Sequence, residues 1–317
     1  MITLNAAETR AVLDLPSTVA ALRAMFLDGC EAPLRHHHAI DGKNGPAGTM
    51  LLMPAWVPDR YLGVKLVNVF PGNGARNLPA VQGVYVLFSG GTGEVLATIE
   101  GNELTARRTV AASALASSYL ARPDAETLLV VGTGRLARLM TDAHAVVRPI
   151  RRVMLWGREP AKAAAVVDEL GGSGFDVTVA TDLRAAAASA DIISCVTLSR
   201  EPLIEGAWLR PGTHLDLVGG FTPQMRESDD EAVRRSSIFI DTPGAIAEAG
   251  DLVIPLASGV LSKADIRADL SALVRGDHPG RTSADEITFF KSVGASQEDL
   301  AAAILVYERS QPHAAVA

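Results

Sequence analysis

The segment from Glu126 to His144, ETLLVVGTGRLARLMTDAH, combines residue types and spacing that read directly as chemistry. Thr127 to Val131 make a short apolar, β-branched run, and Gly132-Thr133-Gly134-Arg135-Leu136-Ala137 follows it at once as G-x-G-x-x-A. A glycine at the first position permits a tight turn, and the second leaves room where a pyrophosphate meets a helix N-terminus. A small residue at the third lets helix and strand pack closely. A strand before and a helix after are the context that makes such a pattern a dinucleotide site. Gly132, Thr133, Gly134, Arg135 and Leu136 are its expected contacts. The end of the following strand should choose between cofactors, because an acid about twenty residues beyond the glycines accepts hydrogen bonds from the ribose 2′-hydroxyl of NAD(H). Trp156-Gly157-Arg158 stands there instead, with no carboxylate, and the Arg158 guanidinium suits a 2′-phosphate. NADPH is therefore the expected cofactor, with Gly157 and Arg158 beside it, and NADH a weaker one.

A second set of residues could hold an anion. Lys65 lies in GVKLVN, an otherwise apolar strand-like run, where burial without an anionic ligand would be costly. Arg107 and Arg108 are neighbours on an Ala-rich helical stretch, and residue type alone does not choose between them. Arg35, in APLRHHH, reads equally well as a site residue or a surface arginine. Three cations from separate segments are what a small carboxylate needs in a protein of formal charge −7. His36, His37 and His38 are not expected to bind metal, since three consecutive residues of an ordered element cannot all face one ion.

The elements that must position these residues can be read in outline. At 317 residues, with 48% hydrophobic and 21% charged residues, the chain is long and apolar enough for about two globular domains. Its negative balance argues against nucleic acid or an anionic membrane as partner. Cys30 and Cys195 are too few for a disulfide framework and fit a reducing cytoplasm. MITLNAAETRAVLDL lacks the order of a signal peptide, and no apolar run approaches a membrane span. Leu15 to Gly29 reads as a helix with Ser17 a candidate N-cap. GTMLLMPAW, YLGVKLVNVFPGN, AVQGVYVLFS and GEVLATIEG then read as strands of an antiparallel sheet. Leu104 to Ala121 reads as a connecting helix. Beyond it TLLVVG, RRVMLWGR, FDVTVAT, ADIISCVT, THLDLVGG and SIFIDT alternate with Ala-rich helical stretches, as a doubly wound parallel sheet requires. AGDLVIPLASGVLSKADIRADL is mixed in character. SADEITFFKSVGASQEDLAAAILVYERS reads as a strand-like patch and a helix that returns to the first domain. The expected fold is α/β, a Rossmann doubly wound parallel-sheet domain (117–290) plus an α+β antiparallel-sheet domain (1–116 with 291–317).

Over nearly its whole length the chain resembles the ornithine cyclodeaminase/mu-crystallin family. The segments that carry the resemblance are GVKLVNVFPGN, LPAVQGVYVLF, LTARRTVAASALA, VVGTGRLA, ADIISCVT, AGDLVIPL and DEITFFKSVG, in that order. The resemblance implies that the first domain binds substrate and pairs with its copy in a homodimer. It implies a substrate carboxylate held by Arg35, Lys65 and Arg108, with Val293 touching the substrate. Thr197, Val218, Gly219 and Ser292 would lie near the nicotinamide. Two positions depart from the cyclodeaminases: their proton-transferring aspartate is Phe221 here, and a threonine after Leu-Pro is Ala80. The nearby acids, Glu227 and Asp229, are expected to cap or solvate the next helix.

Cyclodeamination needs an oxidised cofactor and a base, whereas reducing a cyclic ketimine needs a hydride donor, a carboxylate clamp and a protonated imine. With no proton carrier at Phe221, the first expectation is NADPH-dependent reduction of Δ1-pyrroline-2-carboxylate or Δ1-piperideine-2-carboxylate to L-proline or L-pipecolate, with Lys65 and Arg108 essential to it. The alternatives are an ornithine or lysine cyclodeaminase, an alanine-type dehydrogenase, and a non-catalytic NADPH-dependent ligand-binding protein.

Overall fold

The computed structural model describes residues 1–43, 45–76 and 78–311. It divides into two compact units, Met1–Thr109 with Ala295–Ala317, and Val110–Gly294. The divisions fall within a long helix and just after the KSVG segment; residues 312–317 lie outside the described residues.

The first unit begins with β1 (Ile2–Leu4), α1 (Ala6–Val12) and α2 (Leu15–Asp28). The α2 N-cap is Asp14, whose carboxylate accepts from Ser17 N at 2.9 Å, so Ser17 is a capped residue and not the cap. Then come β2 (His36–Gly42), β3 (Gly45–Val57), β4 (Tyr61–Val69), β5 (Val81–Ser89) and β6 (Val95–Glu100). They form a sheet in the order β1-β6-β5-β4-β3-β2, antiparallel except for the β1–β6 pair. The histidine run begins the exposed edge strand β2, where alternate side chains leave opposite faces. On β4 the residues Gly63, Lys65 and Val67 face inward and their neighbours outward, so period two puts Lys65 on the covered face. Lys65 stands opposite Met53 on β3 and Tyr85 on β5. A Cβ at Gly63 would lie 2.0 Å from Tyr85 Oη, so only glycine lets the buried phenol cross this strand.

The helix α3 (Gly101–Leu120) follows, and the second unit begins within it. That unit contains β7 (Thr127–Val131), α4 (Ala137–Ala145), β8 (Arg152–Trp156), α5 (Pro160–Glu169), β9 (Asp176–Val179), α6 (Leu183–Ser189), β10 (Ile192–Cys195) and β11 (His214–Leu217). After these come α7 (Asp230–Arg235), β12 (Ser237–Ile240), α8 (Ala245–Glu248), α9 (Gly250–Ser258), β13 (Ile266–Asp269), α10 (Leu270–Arg275) and β14 (Thr288–Lys291). The strands form one parallel sheet in the order β13-β12-β14-β11-β10-β7-β8-β9. It is wider than the six runs legible in the sequence. The strand-like FFK patch enters it as β14 between β11 and β12. AGDLVIPL, rich in apolar residues, is the helix α9, because Asp251, Leu252 and Pro255 face inward at helical spacing while Ile254 is exposed. The strands β7, β10, β11 and β14 are buried throughout, as a sheet covered on both faces demands.

The last helix, α11 (Ser296–Ser310), belongs to the first unit. Its Leu300, Ala302, Ala303 and Val306 pack with Ala55, Tyr85, Leu87, Ala97 and Ile99 on the covered face of the first sheet.

Candidate active site

In the second unit the strand order reverses between β7 and β10, the place where open α/β sheets form a ligand crevice at the carboxyl ends of their strands. Gly132 follows β7 with φ +128°, and a Cβ there would come within 2.9 Å of Val196 O. Both observations require glycine. At Gly134 a Cβ would meet nothing within 4 Å, so the turn before α4 has open space on that side. Arg138 Nη1 donates to Thr133 O (3.1 Å) and Gly134 O (3.0 Å) and holds the turn in shape. Ala137, fully buried, starts α4 as the third position of the pattern requires.

A cleft beside this turn is lined by Gly132, Thr133, Gly134, Gly157, Arg158 and Thr197, six residues expected to touch the cofactor. Gly157 is tied to the turn by size: its Cβ would stand 2.5 Å from Thr133 Cγ2. Arg158 lines the cleft and is exposed. Arg135 and Leu136, in the turn that leads to α4, lie outside this lining; so do Val218 and Gly219 after β11 and Ser292 after β14. The structure corrects one expectation here. A carboxylate does reach the cleft, from Glu159, but its Oε1 is held 2.7 Å from Lys162 Nζ, and both residues line the wall. The turn, its open side and the rim cation together fit a dinucleotide.

A second correction concerns Glu227. Asp229 caps α7, accepting from Ala232 N at 2.8 Å, but Glu227 neither caps nor solvates a helix. It is fully buried, and Oε1 accepts from Thr197 N and Oγ1, both at 2.8 Å. Its Oε2 accepts from Gly219 N at 2.9 Å and Gly220 N at 3.2 Å. Lys291 Nζ, at the end of β14, lies 3.8 Å from Glu227 Oε2 and 3.0 Å from Asp251 Oδ2. Burial pushes the Glu227 carboxyl up to about 7, helped by Asp251 and opposed by Lys291 and Thr197. Ser292 is likewise buried and donates to Asp241 Oδ2 at 3.0 Å, which also accepts from Val293 N and Gly294 N. Asp241 thus shapes the segment that carries Ser292 and Val293.

In the first unit the cations singled out in the sequence lie near one another. Lys65 and Arg108 are nearly inaccessible and share Asp299, on the first turn of α11. Lys65 Nζ donates to Asp299 Oδ1 at 2.9 Å and lies 2.7 Å from Oδ2. Arg108 Nε donates to Asp299 Oδ1 at 2.8 Å, and its Nη1 to Glu298 Oε2 at 2.6 Å. Arg107 goes elsewhere, to Glu103 and Leu13 O, so of the two neighbouring arginines it is Arg108 that joins Lys65 at Asp299. Arg35 is half-buried and close enough for its charge to act on Lys65. Burial lowers the Lys65 ammonium to about 8, with Arg108 and Arg35 adding to the effect and Asp299 opposing it. For Arg108, burial works downward but Asp299 and Glu298 outweigh it, so its pKa is raised.

Asp299 and Glu298 escaped the sequence reading, though a signal existed. Asp299, Ala302, Ala303 and Val306 share the inward stripe of α11, so the acid stands in an apolar register where only a buried partner would tolerate it. Among the described residues no group of three His, Cys, Asp or Glu side chains is arranged to hold a metal, and no helix is long and apolar enough to cross a membrane.

Known proteins share this architecture and these segments. Residues 8–313 match the sequence pattern of the ornithine cyclodeaminase/mu-crystallin family. A Δ1-pyrroline-2-carboxylate reductase of Paracoccus denitrificans is 41% identical over 257 residues, covering 80% of this chain and 81% of that protein. The solved structure of the Thermococcus litoralis Δ1-pyrroline-2-carboxylate reductase, in complex with NADH and L-proline, superposes with a TM-score of 0.93 at 34% identity, over 98% of this chain and 97% of that one. An archaeal alanine dehydrogenase dimer with bound NAD superposes with a TM-score of 0.91 at 27% identity, over 98% and 95% of the two chains. With a match that spans both units, the chain belongs to the ornithine cyclodeaminase/mu-crystallin family.

Proposed function

We propose that this protein reduces the C=N bond of a small cyclic ketimine carboxylate, Δ1-pyrroline-2-carboxylate or Δ1-piperideine-2-carboxylate, giving L-proline or L-pipecolate. The observation that carries the reading is the buried Lys65–Arg108 pair. Holding an ammonium where its pKa falls from 10.5 to about 8 costs the fold roughly 3 kcal/mol at neutral pH. The sign follows from the direction of the shift: the cost is absent above the unfolded pKa and reaches its full size as pH falls through about 8. A fold retains such a charge when it binds something. Lys65 and Arg108 meet at Asp299, with Arg35 near enough for its charge to act on Lys65, so cations from three separate segments converge where a substrate carboxylate would be held.

A bound reduced nicotinamide supplies the hydride, which adds to the imine carbon while a proton is taken up at nitrogen. The residues of this chain bind and orient: the clamp fixes the carboxylate, and Gly132 to Leu136, Gly157, Arg158, Thr197, Val218, Gly219 and Ser292 hold the dinucleotide. The names of the Paracoccus and Thermococcus relatives support this reading. An absorbance assay of NADPH and NADH consumption with each imine, with and without ammonia, tests it. Consumption that needs ammonia and an open-chain 2-oxo acid would make the protein an alanine-type dehydrogenase, and no consumption at all a binding protein.

NADPH is the preferred cofactor in this reading, because Arg158 is on the cleft rim and Glu159 is tied to Lys162. Arg158→Ala should weaken NADPH binding by about 10- to 100-fold, the value of one charge-assisted contact, and NADH binding far less. Equal losses in a fluorescence titration would remove the 2′-phosphate assignment. The protein is also a homodimer, joined through the first unit. Leu52, Trp56, Leu62, Val64, Leu66, Val84, Val86 and Phe88 make an apolar face of that sheet which remains half-exposed. Light scattering at micromolar concentration should give twice the chain mass, and a monomer would contradict the assignment. Cys30 and Cys195 are free thiols, consistent with the cytoplasm as the compartment.

A further inference from the structure

The buried cluster of Glu227, Asp251 and Lys291 has no part in the clamp or in the glycine turn, yet it is built like a functional device. Its two carboxylates and one ammonium are all inaccessible, and they stand at the carboxyl ends of the central strands of the second sheet. Glu227 reaches from the loop after β11 to residues on two strand ends, taking four donors from Thr197, Gly219 and Gly220. Asp251 Oδ1 in turn accepts from Glu227 N (2.8 Å) and Ser228 N (3.1 Å), so it holds the backbone that presents the carboxylate. Lys291 Nζ makes no aligned hydrogen bond among the described residues and acts as a counter-charge. The packing leaves no slack: a Cβ at Gly219 would lie 1.9 Å from Thr197 O and 2.6 Å from Glu227 Oε1.

We propose that Glu227 is a positioning residue for the nicotinamide half of the cofactor: as a carboxylate supported by Lys291 it ties the ends of β10 and β11 into one lip, which loosens when the carboxyl takes up a proton. The proposal rests on the reading of Thr197 and Gly219 as nicotinamide contacts. Four donors aim at two oxygens, so a carboxylate satisfies them all, whereas a carboxylic acid turns one O–H toward a donor and leaves a buried group unmet. The pH at which this happens lies near neutrality, since burial brings the carboxyl to about 7. The groups facing it are Lys291 from β14, Asp251 from α9 and the Cys195 thiol from β10, which burial keeps protonated well above this range.

The test compares NADPH with 2′-phospho-ADP-ribose, which has the adenosine end and both bridging phosphates but no nicotinamide. Glu227→Gln should raise the NADPH Kd about ten-fold or more at pH 8 and leave that of the truncated ligand within about two-fold. In the unmodified protein the ratio of the two affinities should fall as pH is lowered from 8 to 6, and in the variant it should be flat. Equal losses for both ligands, or a flat ratio in the unmodified protein, would overturn the proposal. The profile of the unmodified protein decides the matter alone if the variant does not fold. Because no imine is present, the predicted pattern in a protein that fails to reduce ketimines would support the role of Glu227 while overturning the proposed function.

Discussion

Replacing Lys65 or Arg108 is expected to lower kcat/KM for the ketimine carboxylate by about 10²- to 10³-fold while the affinity for NADPH stays within a few-fold. Each side chain offers a charge-assisted contact worth about 1.5–3 kcal/mol, in a site where burial denies the carboxylate any compensation from water. Removing one cation also leaves the acids around Asp299 underpaired, and breaking a buried pair can destabilise a protein by about 3–5 kcal/mol. Arg108→Lys and Lys65→Arg, which keep the charge, separate the two effects. Arg108→Lys should fold and still lose most of its activity, since a lysine cannot span both Asp299 and Glu298 as the guanidinium does. The pH profile supplies an independent check. With Lys65 losing its proton near pH 8, kcat/KM should decline above that value, and Lys65→Arg should flatten the decline. A Lys65→Ala or Arg108→Ala enzyme that reduces the imine normally would show the clamp to be misplaced.

The second large effect is an absence of activity. No proline should form from L-ornithine with either NAD⁺ or NADP⁺, because releasing ammonia requires proton transfers to which a positioned acid or base contributes about 10²–10⁴-fold. The family resemblance matches Phe221 to the cyclodeaminases' aspartate, and its ring is half-buried against the apolar core of the second unit. The two acids that follow it most closely in sequence are already committed. Asp229 accepts from Gly206 N and Ala232 N, and Glu227 from four donors. Neither can turn toward a substrate without giving up buried hydrogen bonds. Assay of proline and ammonia, with Phe221→Asp measured beside the unmodified protein, separates the cases. Robust turnover of ornithine by the unmodified protein would overturn the one-way mechanism, while activity in the aspartate variant alone would support it.

Residues close in sequence announced themselves. Gly132 to Ala137 were legible because a tight turn, an open helix start and a close helix–strand contact each demand a small residue within six positions, and all three are local requirements. The parallel sheet was legible because strand and helix periods alternate along the chain. Lys65 was conspicuous as one charge in an apolar alternation. What the tertiary structure alone decided involved partners far apart in the chain. Arg108, and not Arg107, stands beside Lys65 because Asp299 and Glu298 approach it from a helix some 190 residues away. The strand β14 was readable, but its place between β11 and β12 was not, since periodicity carries no information about which strands become neighbours. α9 read only as part of a mixed stretch until packing showed which of its apolar residues face inward. Glu227 looked like a capping residue because sequence spacing sees only the helix that follows. Its actual partners, Thr197, Gly219, Gly220 and Lys291, come together only when separate strands end side by side, and burial there, rather than residue type, changes what its carboxyl can do.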